Sequence, residues 1–150
     1  KDGYVPLPKI LYPTDVIAGF SLEEKSFKEV QTFELTYGMK DQKEHEKWQF
    51  LDIGPKTQRL YREIISQAET IFWNGPMGVW ENPLFAHGTH KIAKSIADTD
   101  ATSIVGGGDT INAIDHFGLN RGYSYVSTGG GATLQLLSGD LNPGIAVLLQ

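Results

Sequence analysis

The chain contains no cysteine, so disulfides, zinc–thiolate centres and thiol nucleophiles are excluded together, and the composition suits a reducing compartment. Dense basic runs are also lacking, and the formal net charge is −5. Without a cationic footprint, neither nucleic acid nor an anionic membrane surface is an expected partner. No apolar stretch approaches the roughly 18 residues of a membrane-spanning helix, and no signal-peptide pattern opens the chain. A cytoplasmic location is the expectation. What is present, 150 residues with 40% hydrophobic and 21% charged content, can bury a core and suits one domain or part of one. The first residue is Lys1 rather than Met, which fits a fragment or a processed product.

The first third reads as irregular. Pro6, Pro8 and Pro13 punctuate an apolar run at 10–12, and a second run follows at 16–18. Ser21 and Glu24 have capping-box spacing, which predicts a short helix through about Glu29. "QTFELTY" then alternates like a strand, and the charged stretch 40–47 reads as a solvated loop or helix face. From Gly54 onward the pattern is cleaner. Gly54-Pro55 opens a helix with Leu60, Tyr61, Ile64, Ile65 and Ala68 on one face. Strand-like segments at 70–73, 102–105 and 123–127 each precede a helical pattern, at 89–97, 110–117 and 132–138. Gly118 and Gly139 stand where left-handed residues end helices.

Strand and helix alternate with short connections, so the crossovers are right-handed and the strands parallel. The expected fold class is α/β, a three-layer, Rossmann-like parallel sheet flanked by helices. Strands ending at Trp73, Val105 and Ser127 then finish at one edge, where ligands bind in such folds.

Three loops follow those ends: "NGPMGVWE" (74–81), "GGGDT" (106–110) and "TGGGAT" (128–133). Their glycines let main-chain amides approach a bulky anion, and the last two loops run into helix N-termini with unpaired donors and partial positive charge. A phosphate-binding surface is the reading. No G-x-x-x-x-G-K-[ST] loop and no G-x-G-x-x-G fingerprint is present. Asp109 is either a cap for its helix or a magnesium ligand, since Mg²⁺ takes one or two carboxylates plus phosphate oxygens. Glu81 either takes ribose hydroxyls or is merely exposed; Val79 and Trp80 either wall an adenine or belong to the core. His87 and His90 have i, i+3 spacing without an evident third ligand and read as surface histidines. No serine occupies a nucleophile elbow, so acyl transfer has no support.

"TIFWNGPMGVWE", "SIVGGGDTINAI" and "YVSTGGGATLQLLSG", in this order and at these separations, closely resemble the C-terminal, nucleotide-binding domain of the phosphoglycerate kinase family; weaker matches run through "LDIGPKT" and "KILYPTDV". The resemblance implies that residues 1–150 form that domain, without its first strands and without the N-terminal substrate domain. It implies ATP or ADP with Mg²⁺ as ligands, and 3-phosphoglycerate or 1,3-bisphosphoglycerate reaching the enzyme through the other domain of a monomeric full-length protein. It implies that Asn74, Pro76, Gly78, Val79, Trp80 and Glu81 hold adenosine and part of the phosphate chain, with Glu81 on the ribose. By the same resemblance Gly106, Gly107, Gly108, Asp109 and Thr110 contact phosphates, Asp109 matching the magnesium ligand. Thr128, Gly129, Gly130 and Gly131 line the loop around the transferred phosphate, with the Gly108 and Gly131 amides stabilising the phosphoryl group in flight. Gly54 and Pro55 help shape the cleft. Trp80 departs from the family's usual Phe or Tyr, and Phe50 stands where a glycine often faces adenine. The glycine loops contain no Lys or Arg, so the isolated chain is expected to be inactive, because phosphoryl transfer needs cations spread over several oxygens. A non-catalytic phosphate-binding module is the alternative.

Overall fold

The computed structural model describes residues 10–21, 27–32, 48–139 and 143–148. Within them, three strands follow the sequence pattern closely: β4 (Thr70–Asn74), β5 (Thr102–Gly106) and β6 (Tyr125–Ser127) form a parallel sheet in the order β4-β5-β6. The preceding strands, β1 (Asp15–Gly19), β2 (Lys28–Gln31) and β3 (Gln49–Ile53), form a separate antiparallel sheet in the order β2-β1-β3. This second sheet was not anticipated. Helices α1 (Pro55–Ile65), α2 (His87–Ala97), α3 (Gly108–His116), α4 (Gly130–Leu137) and α5 (Pro143–Leu148) complete the described elements.

The capping-box helix through Glu29 is corrected in its last residues: Lys28 and Glu29 lie in β2, paired with Ala18 and Ile17 of β1. Pairing that buries Val30 to 3% exposure outweighs the local cap signal. Residues 22–26 of that helix, 33–37 of the expected strand and the charged stretch 40–47 lie outside the described residues.

The main core joins the two sheets through the helices. Trp73 of β4 and Val105 of β5 point to one side and pack with Ile92, Ala93 and Ile96 of α2, Ile114 of α3 and Ile53 of β3. Period-two alternation sends Phe72 and Ile104 to the opposite side of the pleat, where they are only half-buried. Two smaller clusters stabilise the antiparallel sheet: Val16, Ala18 and Val30 with Trp48, and Ile17, Leu51 and Phe85 with Val79.

Two buried aspartates tie strands to helices. Asp15 of β1 accepts hydrogen bonds from the amides of Lys56 (2.9 Å) and Thr57 (2.7 Å), and Asp52 of β3 accepts one from the amide of Gly88 (2.7 Å). Each carboxylate thereby supplies from another element the cap that α1 and α2 do not find in their own N-cap residues, Gly54 and Ala86.

Candidate functional site

β4, β5 and β6 run parallel, so their C-terminal ends bring three glycine-bearing turns to one rim. The turns touch. The Gly75 amide donates to Thr110 Oγ1 at 2.8 Å, joining the β4 turn to α3. Asn74 Nδ2 reaches the Gly130 carbonyl at 3.5 Å, a long contact that sets the β4 end beside α4. Gly130 is buried against the backbone of Gly106 and Gly107 and leaves no room for a Cβ, while Gly107 has φ +94°. A side chain at Gly130 would push the two turns apart, and one at Gly107 would be strained by the positive φ and crowd Asn74.

Neither α3 nor α4 has a side-chain cap: their N-cap residues are Gly107 and Gly129, and no N-cap side chain bonds the first turn. Asp109, in the first turn of α3, is exposed and its side chain serves as no such cap. First-turn amides and partial positive charge at two helix ends therefore face the rim. Gly108, Thr128, Gly129 and Gly131 are exposed, Gly106 and Gly130 buried and Gly107 half-buried, while Thr110 is fully buried beneath the β4 turn.

The segment 74–86 runs from this rim along α2. Thr89 Oγ1 accepts from the amides of Met77 and Gly78, both at 3.1 Å, and the Val79 amide donates to the Leu51 carbonyl at 2.9 Å. Asn74, Pro76 and Gly78 are half-buried in it. Val79, half-buried, packs against the Ile17, Leu51 and Phe85 cluster, and Trp80 leans on the His116 ring at 5.5 Å between centroids. Glu81 is exposed at the far end. Phe50 on β3 is 57% exposed. Gly54 is buried, its amide bonded to the Asp15 carbonyl, and Pro55 starts α1.

Two residues behind the segment escaped the sequence reading. Thr89 looked like an ordinary helix residue. Asp52 interrupts the apolar run "FLDI", and that lone charge was the available signal. Its Oδ1 accepts from the Ile53 amide at 2.8 Å, and with its bond to Gly88 it sits so close to Gly78 and Gly88 that neither could carry a Cβ. Burial pushes its carboxyl up to about 6 despite the two amide hydrogen bonds that oppose the shift.

Among the described residues no group of three or more His, Asp and Glu side chains could hold a metal ion. A divalent cation at this rim would therefore rest on one carboxylate, Asp109, and on ligand oxygens, a donor set that fits Mg²⁺. No helix among the described residues is long and apolar enough to cross a membrane.

The family model for "Phosphoglycerate kinase" matches residues 7–140. The phosphoglycerate kinase of Herpetosiphon aurantiacus is 41% identical over 140 residues, covering 93% of this chain and 34% of that protein. Among solved structures, phosphoglycerate kinase from Coxiella burnetii superposes with a TM-score of 0.76 at 40% identity, over 91% of this chain and 33% of its own. The enzyme from Pyrococcus horikoshii gives 0.75 at 35% identity, over 91% and 32%. The chain spans about a third of the length of these relatives. A match across nearly all of its residues, on a rim of touching glycine turns, makes this chain a member of the phosphoglycerate kinase family.

Proposed function

We propose that the chain supplies the nucleotide-binding part of a phosphoglycerate kinase, holding ATP or ADP with Mg²⁺. The complete enzyme would transfer phosphoryl between 1,3-bisphosphoglycerate and ADP, giving 3-phosphoglycerate and ATP. The observation that carries this reading is the meeting of Gly75, Gly107 and Gly130 at the uncapped starts of α3 and α4. Main-chain donors fixed there stabilise negative charge without reorganising, which is how phosphoryl transfer is chiefly catalysed.

In this reading the amides of Gly106, Gly107, Gly108 and Thr110 hold the phosphate chain, and the loop Thr128, Gly129, Gly130 and Gly131 surrounds the transferred group. Gly108 and Gly131 face the group in flight. The segment Asn74, Pro76, Gly78, Val79, Trp80 and Glu81 positions adenosine, with the Glu81 carboxylate accepting from ribose hydroxyls. Asp109 would hold Mg²⁺, which when bound neutralises charge on the phosphate oxygens. In the direction of ATP synthesis, an ADP β-phosphate oxygen bonds to phosphorus as the bond to the acyl oxygen breaks in line, leaving the carboxylate of 3-phosphoglycerate.

The loops contain no Lys or Arg, which favours a chain that binds nucleotide without turning it over. The domain assignment follows: residues 1–150 are the nucleotide-binding part, and the acceptor and its cations come from elsewhere in the enzyme.

Calorimetric titration with Mg·ADP tests the reading. Saturable one-to-one binding is expected, weakened about tenfold or more by Asp109→Asn in Mg²⁺ but much less with metal-free ADP. Heat indistinguishable from dilution, or binding indifferent to Asp109→Asn and Gly108→Val alike, would overturn it. A coupled assay with 3-phosphoglycerate and ATP should show no turnover by the chain alone.

A further inference from the structure

The segment after β4 is irregular, so each of its amides must find a partner outside a helix or strand. The Gly75 amide donates to Thr110 Oγ1 at 2.8 Å, and those of Met77 and Gly78 both donate to Thr89 Oγ1 at 3.1 Å. Val79 donates to the Leu51 carbonyl and Trp80 to the Gly78 carbonyl, each at 2.9 Å. Pro76 has no amide hydrogen. From 75 to 80 every main-chain donor is therefore taken up within the chain. The first turns of α3 and α4, by contrast, carry no side-chain cap. Of the three glycine turns, the one after β4 thus has no amide left to give a phosphate.

We propose that Thr89 is a positioning residue for the nucleoside half of the nucleotide, acting through the Met77 and Gly78 backbone and leaving the phosphate half untouched. This rests on the reading of 74–81 as the adenosine side of the site. One oxygen accepts both amides, which occupies its two lone pairs. That oxygen is held firmly. Thr89 is fully buried, and its β-branched side chain is restricted at χ1. The preceding Gly88 amide is tethered to Asp52 Oδ2 at 2.7 Å. Met77 and Gly78 are only half-buried, so amides deprived of the hydroxyl would turn to water and release the segment from α2. Thr110 acts on the other end of the segment, where its partner Gly75 joins the β4 turn to α3 and hence to the rim. Thr57 offers a comparison of like chemistry elsewhere: its buried Oγ1 accepts from the amides of Thr14 and Asp15, at 3.0 and 3.1 Å, between α1 and the start of β1.

Calorimetric titration of the chain with Mg·ADP, and with magnesium pyrophosphate as the phosphates alone, tests the proposal. Thr89→Val should weaken Mg·ADP about tenfold, as for a segment docked about one-tenth of the time, and change pyrophosphate by less than about twofold. Thr89→Ser, which keeps the oxygen, should hold Mg·ADP affinity within about twofold of the unaltered chain. Thr57→Val should lower the denaturant midpoint without changing the ratio of the two affinities. Equal loss of both ligands, a ratio moved as far by Thr57→Val, or a serine variant as weak as the valine one would overturn the proposal. If Thr89→Val does not fold, the Met77 and Gly78 amide resonances of the unaltered chain decide. They should shift with Mg·ADP and stay in place with magnesium pyrophosphate; equal shifts with both would overturn the assignment. Unchanged Mg·ADP affinity in Thr89→Val would overturn the role of Thr89 alone, whereas no Mg·ADP binding by the unaltered chain would overturn the nucleotide reading along with it.

Discussion

Asp52 and Asp15 are both buried carboxylates that receive helix amides, yet they respond oppositely to pH. For Asp15, burial raises the pKa, but hydrogen bonds from the Thr57 hydroxyl and from the amides of Lys56 and Thr57 together bring it below 3.8. Its contribution is present above the ordinary carboxylate range and is lost as pH falls below it. Asp52, raised from 3.8 to about 6, binds a proton more tightly in the fold than when unfolded. Its contribution is fully present below about pH 4 and is lost as pH rises through 6, a decline on the order of 2–3 kcal/mol. Asp52→Asn should therefore flatten the stability profile between those pH values, as measured by urea unfolding at successive pH. If that stretch keeps its slope, Asp52 is not its source. Thr89 gives a second expectation at this scale. Replacing it with Val keeps the shape but removes the acceptor for the Met77 and Gly78 amides, which should cost about 1–3 kcal/mol in denaturant midpoint terms.

At the level of elements, the touching turns depend on Gly130. Gly130→Ala must displace the Gly106–Gly107 backbone. It should lower nucleotide affinity far more than Gly131→Ala, whose added methyl meets open space; equal losses by calorimetry would mean the turns do not act together. Most of this rim could be read from residues alone. Apolar periodicity marked α1, α2 and α3, the alternation of strand and helix implied parallel β4, β5 and β6, and Gly118 has the left-handed φ of +67° its position suggested. The antiparallel sheet was hidden for specific reasons. β1 is buried along its whole length and so lacks alternation, and β2 sits behind a cap signal that long-range pairing overrides. α4 begins with two glycines, which carry no helical propensity, so its start was placed at 132 instead of Gly130. What cannot be read at all is contact between distant residues: nothing in "HGTHK" announces that a threonine hydroxyl steadies a turn eleven positions earlier.

For the molecule as a whole, apolar surface gathers at the β6 end. Tyr125 is 63% exposed, and Leu134, Leu136 and Leu137 on α4 are exposed as well. β6 is an edge strand of the parallel sheet. Unpaired edges beside exposed leucines favour association, so the weight-average mass by light scattering should rise with concentration, and Leu134→Glu with Leu137→Lys should suppress the rise. A constant monomer mass for the unaltered chain would contradict this. The unequal treatment of the helix ends also reaches the whole molecule. Asp15 and Asp52 accept from the first-turn amides of α1 and α2, whereas α4 has no acidic residue in its first turn and α3 has only the exposed Asp109. On the proposed placement of the nucleotide's tail, an inorganic oxyanion in the buffer competes for the same first-turn amides. Sulfate should behave as a competitor, making the choice of salt a determinant of apparent affinity independent of ionic strength.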